Sequence, residues 1–535
     1  MTHPILRPYQ TELVTNVRSV LAKKRNAHIL IQSPTGSGKT MVFSYIAKHG
    51  TDKKNKVFIL SNRTELLRQT SGAISRFGIN HAFINPSVKY PSMDAPCHIA
   101  MSQTLQRRYK KEDWRSLLSE QDIIIIDECH LQDFNYILED GIFDDKTVLA
   151  FTATPIRSGS QRQLGIDFEY LINGPSVKSL VEQGFLMPDR YFSVDSPDVK
   201  GIPYNYATGD FQSKAMYNIF NSKEKYQGAV HNYRQLTDKT KALTFCVNQL
   251  HAIKTAKEFN DAGIPSMYLI SGIAKPKKPD VWKNDTQREQ YEDEMETWTF
   301  SQQYKYLTGN RVDLIEAYRK NKFLNLVNAS ILTTGFDMPD IQTLIIDRST
   351  ASLQLYLQML GRGSRPSPET GKIYFNVLDF GNHAIREINP FGRYMDDRDW
   401  SLWHEPSQGG GIPPTKECPP GKLDFRGHKG CGRLIPISYS DCPLCNFHFE
   451  TKKEAKEVEL KELIYTSTST DEKLVIGNMN YKQLAAYREL KKYHMNWMAR
   501  VLFYRGGEDE LKKGLRELGY GWGFIYRLVN ELKKW

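Results

Sequence analysis

Long apolar runs are missing from this chain; none approaches the roughly 20 residues that a membrane-spanning helix needs. The start, Met1-Thr2-His3-Pro4-Ile5-Leu6-Arg7, lacks the apolar stretch of a secretory leader. Together these absences predict a cytosolic protein with no membrane partner. Cysteine is scarce too, with seven in 535 residues, which excludes a disulfide-stapled fold. Cys97, Cys129 and Cys246 stand alone in apolar or mixed surroundings and read as reduced core thiols. The other four fall within residues 418–445, where a metal site is the expected use in a cytosolic chain. Acidic residues are outnumbered, 61 against 72 basic ones, and the net charge of +11 suits a polyanionic partner. With 40% apolar and 25% charged residues the chain is globular, and it is too long for a single core.

What is present is organised around Ile29-Leu30-Ile31-Gln32-Ser33-Pro34-Thr35-Gly36-Ser37-Gly38-Lys39-Thr40. An apolar strand runs into a Gly-rich turn ending in Gly-Lys-Thr, and Met41-Val42-Phe43 opens a helix. That is a P-loop in its required context. Glycines let the backbone N–H groups of Thr35 to Thr40 point inward at phosphate oxygens, and the helix N-terminus adds positive charge. Lys39 would reach the β- and γ-phosphates of ATP, and the Thr40 hydroxyl would hold Mg²⁺. Ser33 stands where the general pattern has its first glycine. About one helix upstream lies Arg7-Pro8-Tyr9-Gln10, whose glutamine amide has the groups to read an adenine edge.

Buried strands then alternate with helical patterns: Val57-Phe58-Ile59-Leu60, Ile99-Ala100-Met101, Ile123-Ile124-Ile125-Ile126 and Val148-Leu149-Ala150-Phe151. Continuous apolar strands of this kind predict an α/β fold with a parallel sheet covered on both faces. The third runs into Asp127-Glu128-Cys129-His130, two carboxylates at the strand end where such sheets bind ligands. Asp127 suits the Mg²⁺ shell and Glu128 suits polarising an attacking water. The fourth ends in Thr152-Ala153-Thr154.

In this order and spacing Gln10, the Gly-Ser-Gly-Lys-Thr loop, Asp-Glu-Cys-His and Thr-Ala-Thr resemble the superfamily 2 helicases and translocases, on their DExH side. The second half strengthens the resemblance. The pattern of buried strands recurs at Ala242–Val247, Met267–Gly272, Leu324–Val327 and Leu344–Asp347, around a charged insertion at about 273–308 that carries Trp282, Trp298 and Tyr304. Thr333-Thr334-Gly335-Phe336-Asp337 and Gln358-Met359-Leu360-Gly361-Arg362-Gly363-Ser364-Arg365 are similar to motifs V and VI of that superfamily. Asp379-Phe380-Gly381-Asn382 and Asp399-Trp400-Ser401-Leu402 resemble phage and bacterial members of the repair, recombination and branch-migration type.

The resemblance implies two tandem RecA-like lobes, residues 1–188 and 189–404, with ATP between them. Arg7, Gly335 and Asp337 would join the nucleotide site, and Gln358, Arg362 and Arg365 would act from the second lobe, the arginines as fingers on the γ-phosphate. His130, Thr152 and Thr154 would couple the two sites. Arg63, Gln103, Thr104, Thr333 and Thr334 would contact the phosphates of a nucleic-acid strand. It further implies an ATP-dependent helicase or translocase, with single-stranded, forked or branched DNA preferred over RNA, in bacterial or phage-infected host cytosol. An RNA helicase, the motor subunit of a restriction-type complex, and an ATP-gated nucleic-acid sensor without unwinding are the alternatives. No carboxylate–lysine nuclease motif stands out in the tail.

The tail departs from the motor pattern. Residues 405–417 read as a Pro/Gly-rich linker, and Cys418, Cys431, Cys442 and Cys445 as a zinc-binding module spanning 418–449. His428 lies three before Cys431, so a set of three cysteines and one histidine is an alternative; the all-cysteine set is preferred because thiolates suit zinc. Residues 450–535 carry helical patterns with recurring aromatics, read as the core of a small helical domain that could dock a protein partner.

Overall fold

The structure is a computed structural model describing residues 4–533 except 63, 91, 158–161, 194–202, 206–208, 221–222, 238, 271–277, 279–284, 304–310, 330–331, 333–336, 386–390, 404–414, 433, 437–441, 443–444, 449–460, 464–480 and 491–494. Arg63, Thr333, Thr334, Gly335, Trp282 and Tyr304 therefore lie outside the described residues. No described helix is long and apolar enough to cross a membrane.

Seven strands form the first sheet: β1 (His28–Gln32), β2 (Val57–Ser61), β3 (Ala82–Ile84), β4 (Cys97–Met101), β5 (Ile123–Asp127), β6 (Thr147–Thr152) and β7 (Tyr170–Asn173). All pair in parallel, in the order β3-β4-β2-β5-β6-β1-β7. The β-branched run of β5 sits between β2 and β6 with Ile124, Ile125 and Ile126 fully buried, as a strand covered on both faces requires. Helices Pro8–Lys23, Lys39–Asp52 and Thr64–Arg76 send Leu13, Phe43 and Ile74 into one face. Trp114, Leu117 and Phe134 fill the other. This order makes β5, β6 and β1 neighbours, so the turns leaving those three strands meet at one edge of the sheet.

The second sheet uses β8 (Asp189–Ser193), β11 (Ala242–Cys246), β12 (Ser266–Leu269), β13 (Asn325–Asn328), β14 (Thr343–Asp347) and β15 (Phe375–Asp379). A short ribbon of β9 (Tyr204–Asn205) and β10 (Asp210–Phe211) precedes β11, and β16 (Thr415–Glu417) pairs with β17 (Leu434–Pro436) beside the cysteines. A last strand, β18 (Lys461–Leu463), returns to pair antiparallel with β8, giving the order β12-β13-β11-β14-β15-β8-β18. The helices expected in 450–535 are present, and Lys461–Leu463 of the same segment is a strand that the sequence reading did not foresee. Part of that segment completes the second lobe's sheet, because β8 would otherwise present an open edge.

Two further elements differ from the sequence reading. The charged insertion contains the helix Asp285–Gln303, whose Thr297 and Ser301 are buried and whose Phe300 lies against Tyr268, with ring centroids 6.3 Å apart. It is seated on the second lobe and is not a free excursion. Residues 391–403, assigned to the second lobe, form a strap back to the first. The Arg398 guanidinium donates to the carbonyls of Phe391 (2.9 Å), Arg393 (2.7 Å) and Asp396 (2.8 Å), holding the strap in its bend. Tyr394 donates to Ser364 Oγ at 2.9 Å in the second lobe, whereas Leu402 packs into the core of the first and accepts the Gly165 N–H at 3.0 Å.

The helices Tyr481–Leu490, Met495–Glu517 and Trp522–Lys533 share a core of Leu484, Leu502, Leu511, Leu515, Ile525 and Leu528. Phe503 of the long helix packs on the second-lobe core, and Arg500 lies over the Phe185 ring at 4.9 Å. The aromatics of this region divide. Tyr481, Phe503, Tyr520 and Phe524 pack on the helical core, but Trp522 and Tyr526 are 48% and 50% exposed, which corrects their assignment to the core.

Candidate active site

The turn after β1 bends through left-handed backbone at Gly36 (φ 87°) and Gly38 (φ 82°), and the helix starting at Lys39 follows directly. Ser33 has a structural reason to replace glycine: its hydroxyl lies 2.7 Å from Ser37 Oγ and ties the loop across its base. Lys39 Nζ donates to the Ser33 carbonyl at 3.2 Å. Gln10 is buried with both amide groups engaged. Its Oε1 accepts Arg7 N–H at 2.9 Å and its Nε2 donates to Ser37 O at 3.0 Å, while Tyr9 OH donates to the same carbonyl at 2.6 Å. In this state Gln10 braces the loop and does not turn its amide outward. Arg7 lies over Phe185 at 4.8 Å, so that ring carries Arg7 and Arg500 together.

Asp127 ends β5 almost completely buried, and burial together with Glu128 pushes its carboxyl up to about 7, with Lys39 opposing. A divalent cation here would relieve that penalty, and one buried carboxylate facing Lys39 of the P-loop fits Mg²⁺. Glu128 adopts φ 56°, a left-handed conformation that costs a non-glycine residue roughly 1 kcal/mol or more. Strain at this position turns Glu128 away from the strand's alternation. Its Oε2 is buried without a hydrogen-bond partner among the described residues, 3.5 Å from His130 Nδ1.

His130 is tied to the next strand. Burial lowers its imidazole to about 4, so it is neutral at pH 7. Nδ1 lies 2.7 Å from Thr152 Oγ1, which itself donates to Thr154 O at 3.0 Å. With the single hydroxyl proton used, Nδ1–H must be the donor, leaving Nε2 a buried acceptor with no partner among the described residues. Thr154 Oγ1 and Gln358 Nε2 are likewise buried and unpartnered. These polar atoms cluster on the segments that a nucleotide and a closing cleft would satisfy. Sequence reasoning missed Arg157, which is buried in ion pairing with Asp167 at 3.2 Å and reaches the Cys129 carbonyl at 3.5 Å, steadying the acidic turn from below.

The second lobe meets the P-loop directly. Helix Leu353–Leu360, capped by Ser352 Oγ accepting Leu355 N–H at 3.3 Å, delivers Gln358 and then the turn Gly361–Arg365. A Cβ on Gly361 would lie 2.5 Å from Thr35 Cβ, so glycine is required for the lobes to approach. The Arg365 stem passes the same loop, its Cγ 3.7 Å from where Gly36 would carry a Cβ. The Arg365 head is ion-paired with Asp337, which is largely exposed, and Arg362 is buried. A cavity of about 180 Å³ remains between Gln32, Thr35 and Ala153 on one side and Leu357, Tyr394 and Asp399 on the other.

Behind the arginines lies a buried network invisible in the sequence. Asp379 accepts His383 Nδ1–H (2.7 Å), His383 N–H (2.6 Å) and Tyr191 OH (2.6 Å). Burial pushes its carboxyl up, but His383 and these donors win and hold it below the usual range. Tyr356, on the arginine helix, shares its proton between Tyr191 OH (2.8 Å) and Gly392 O (3.1 Å), linking that helix to the strap.

Of the residues expected on a phosphate path, Gln103 donates through Nε2 to Asp133 at 3.1 Å, and Thr104 is buried. In the tail, the Sγ atoms of Cys418, Cys431, Cys442 and Cys445 all lie within 4.8 Å of one another. Pairs stand at 3.5 Å (Cys418–Cys445) and 3.7 Å (Cys431–Cys442), close to the ~3.8 Å edge of a tetrahedral zinc–thiolate site. His428 turns instead to Asp424, 3.4 Å from its Nδ1.

Residues 3–157 match the family described as "Type III restriction enzyme, res subunit", and residues 286–367 match "Helicase conserved C-terminal domain". A "51.5 kDa protein" of a Lactococcus phage is 24% identical over 527 residues, 95% of this chain and 98% of that one. The "Putative ATP-dependent helicase IRC3" of Saccharomyces cerevisiae is 26% identical over 70% of this chain, which spans about half (51%) of the yeast protein. A solved fragment titled as a putative HsdR subunit of a type I restriction enzyme from Vibrio vulnificus YJ016 shares the fold, with TM-score 0.50 and 20% identity over 71% of this chain and 65% of that one. These matches support a superfamily 2 helicase. The helicase-type domains and the helicase-named relatives support ATP-dependent helicase activity.

Proposed function

We propose that this chain is an ATP-driven motor that tracks single-stranded DNA and works on forked or branched DNA, as in repair, recombination or fork remodelling. The observation that carries the reading is the Thr35–Gly361 contact, which sets the arginine turn of one lobe on the P-loop of the other. Phosphates held by Thr35 to Thr40 and Lys39 would draw Arg362 and Arg365 inward; Glu128 would orient the attacking water; loss of the γ-phosphate would release the clamp. Thr40 and Asp127 would hold Mg²⁺, which would supply charge neutralisation for the phosphates. His130, Thr152 and Thr154 would pass closure to the strand path, and Gly335 and Asp337 would join the nucleotide site. DNA is favoured over RNA by relatives named for restriction enzymes. Those relatives also support the second reading, a motor subunit of a restriction-type assembly.

ATP hydrolysis by the full chain, measured with single-stranded DNA, forked DNA, four-way junctions and RNA as stimulators, tests the proposal. Stimulation by DNA forks or junctions well above RNA is expected. Equal or greater stimulation by RNA overturns the DNA assignment.

The four thiols would hold one zinc ion, and so short a segment would depend on it for folding. We expect about one zinc per chain by elemental analysis, and loss of that zinc in Cys442→Ser. A zinc-free intact chain would remove the metal from this module.

A further inference from the structure

The helix Trp522–Lys533 buries Ile525, Leu528 and Val529 against its neighbours yet leaves two large rings in water four residues apart. Trp522 and Tyr526 stack on one another with centroids 5.7 Å apart and planes 29° from parallel. Two cations of the preceding helix lie over these rings, Arg516 Cζ 5.0 Å from the Trp522 centroid and Lys512 Nζ 5.2 Å from that of Tyr526. Gly521 and Gly523 flank Trp522, and a Cβ at either would meet nothing within 4 Å, so the approach to the ring is open. Charged residues of the same two helices, Lys513, Arg516, Glu517 and Arg527, are also exposed.

We propose that Trp522 and Tyr526, backed by Arg516 and Lys512, form a stacking platform for unpaired bases of single-stranded DNA, separate from the path across the two lobes. Every base offers a flat π face whatever its identity, so such a platform is sequence-tolerant, and the cations beside it meet the phosphates. This inference rests on the reading of the chain as a nucleic-acid motor. It gives the helical domain a grip on the unpaired strand at a fork.

The test uses the full chain, a fluorescent oligothymidylate and an abasic oligomer of equal length, titrated at one salt concentration without nucleotide. The wild type should bind oligothymidylate more tightly than the abasic strand. Trp522→Ala with Tyr526→Ala should weaken oligothymidylate binding about 5- to 150-fold per stacked base and bind both strands alike. Trp522→Phe should restore most of the preference, and ATP hydrolysis without DNA should be unchanged, which also verifies folding. A double variant that retains the wild-type preference for bases overturns the platform alone and leaves the face to a protein partner. A wild type that neither binds oligothymidylate nor hydrolyses ATP faster with it overturns the motor reading, and the platform with it.

Discussion

Glu128→Gln is expected to lower ATP turnover by about 10²- to 10⁴-fold while ATP remains bound, because it removes the base and keeps Asp127 and Lys39. The Glu128 Oε2 is buried without a hydrogen-bond partner among the described residues, and its backbone is left-handed, which suits a carboxylate reserved for this role. Lys39→Ala should also abolish turnover, by a different route. It removes the cation that meets the phosphates, and binding fails first. A filter-binding assay with single-turnover hydrolysis separates the two, since only the glutamine variant should trap ATP. Hydrolysis near the wild-type rate in Glu128→Gln would sink its assignment.

Arg365→Ala should reduce turnover by about 10³- to 10⁵-fold with single-stranded DNA binding largely intact, as for cross-cleft arginines that meet charge growing in the transition state. Its stem already lies along Gly36, and its head is held by Asp337, an ion pair that a γ-phosphate would compete for. Arg365→Lys should not rescue, because a point charge cannot replace the planar fork. Turnover and DNA affinity measured on the same preparations decide the matter. A variant that hydrolyses normally yet loses DNA would place Arg365 in the strand groove.

Much of the site was legible because its chemistry is packed into short, contiguous runs. The P-loop, Asp-Glu-Cys-His and Gln-Met-Leu-Gly-Arg-Gly-Ser-Arg each gather the residues proposed for one task within a dozen residues or fewer. Their residue types are dictated by phosphate, metal and charge, whatever packs around them. The strand Lys461–Leu463 was missed for the opposite reason. Lys461–Leu463 has no strand signal of its own and becomes a strand because β8 offers an unpaired edge.

By itself the sequence determined the parallel α/β lobes, the order of the motifs and the four-cysteine cluster, because apolar runs, Gly-rich turns and ligand spacing are local properties. Tertiary structure alone decided that β6 lies between β1 and β5, that Gly361 meets Thr35, and that the strap crosses back to Gly165. It also decided that Asp379 and His383 underpin the arginine helix and that Trp522 and Tyr526 face water. A helical repeat reads the same whether its aromatics point into a core or away from it. Only the packing of distant segments selects the face, and that selection is where the helical domain acquires its surface.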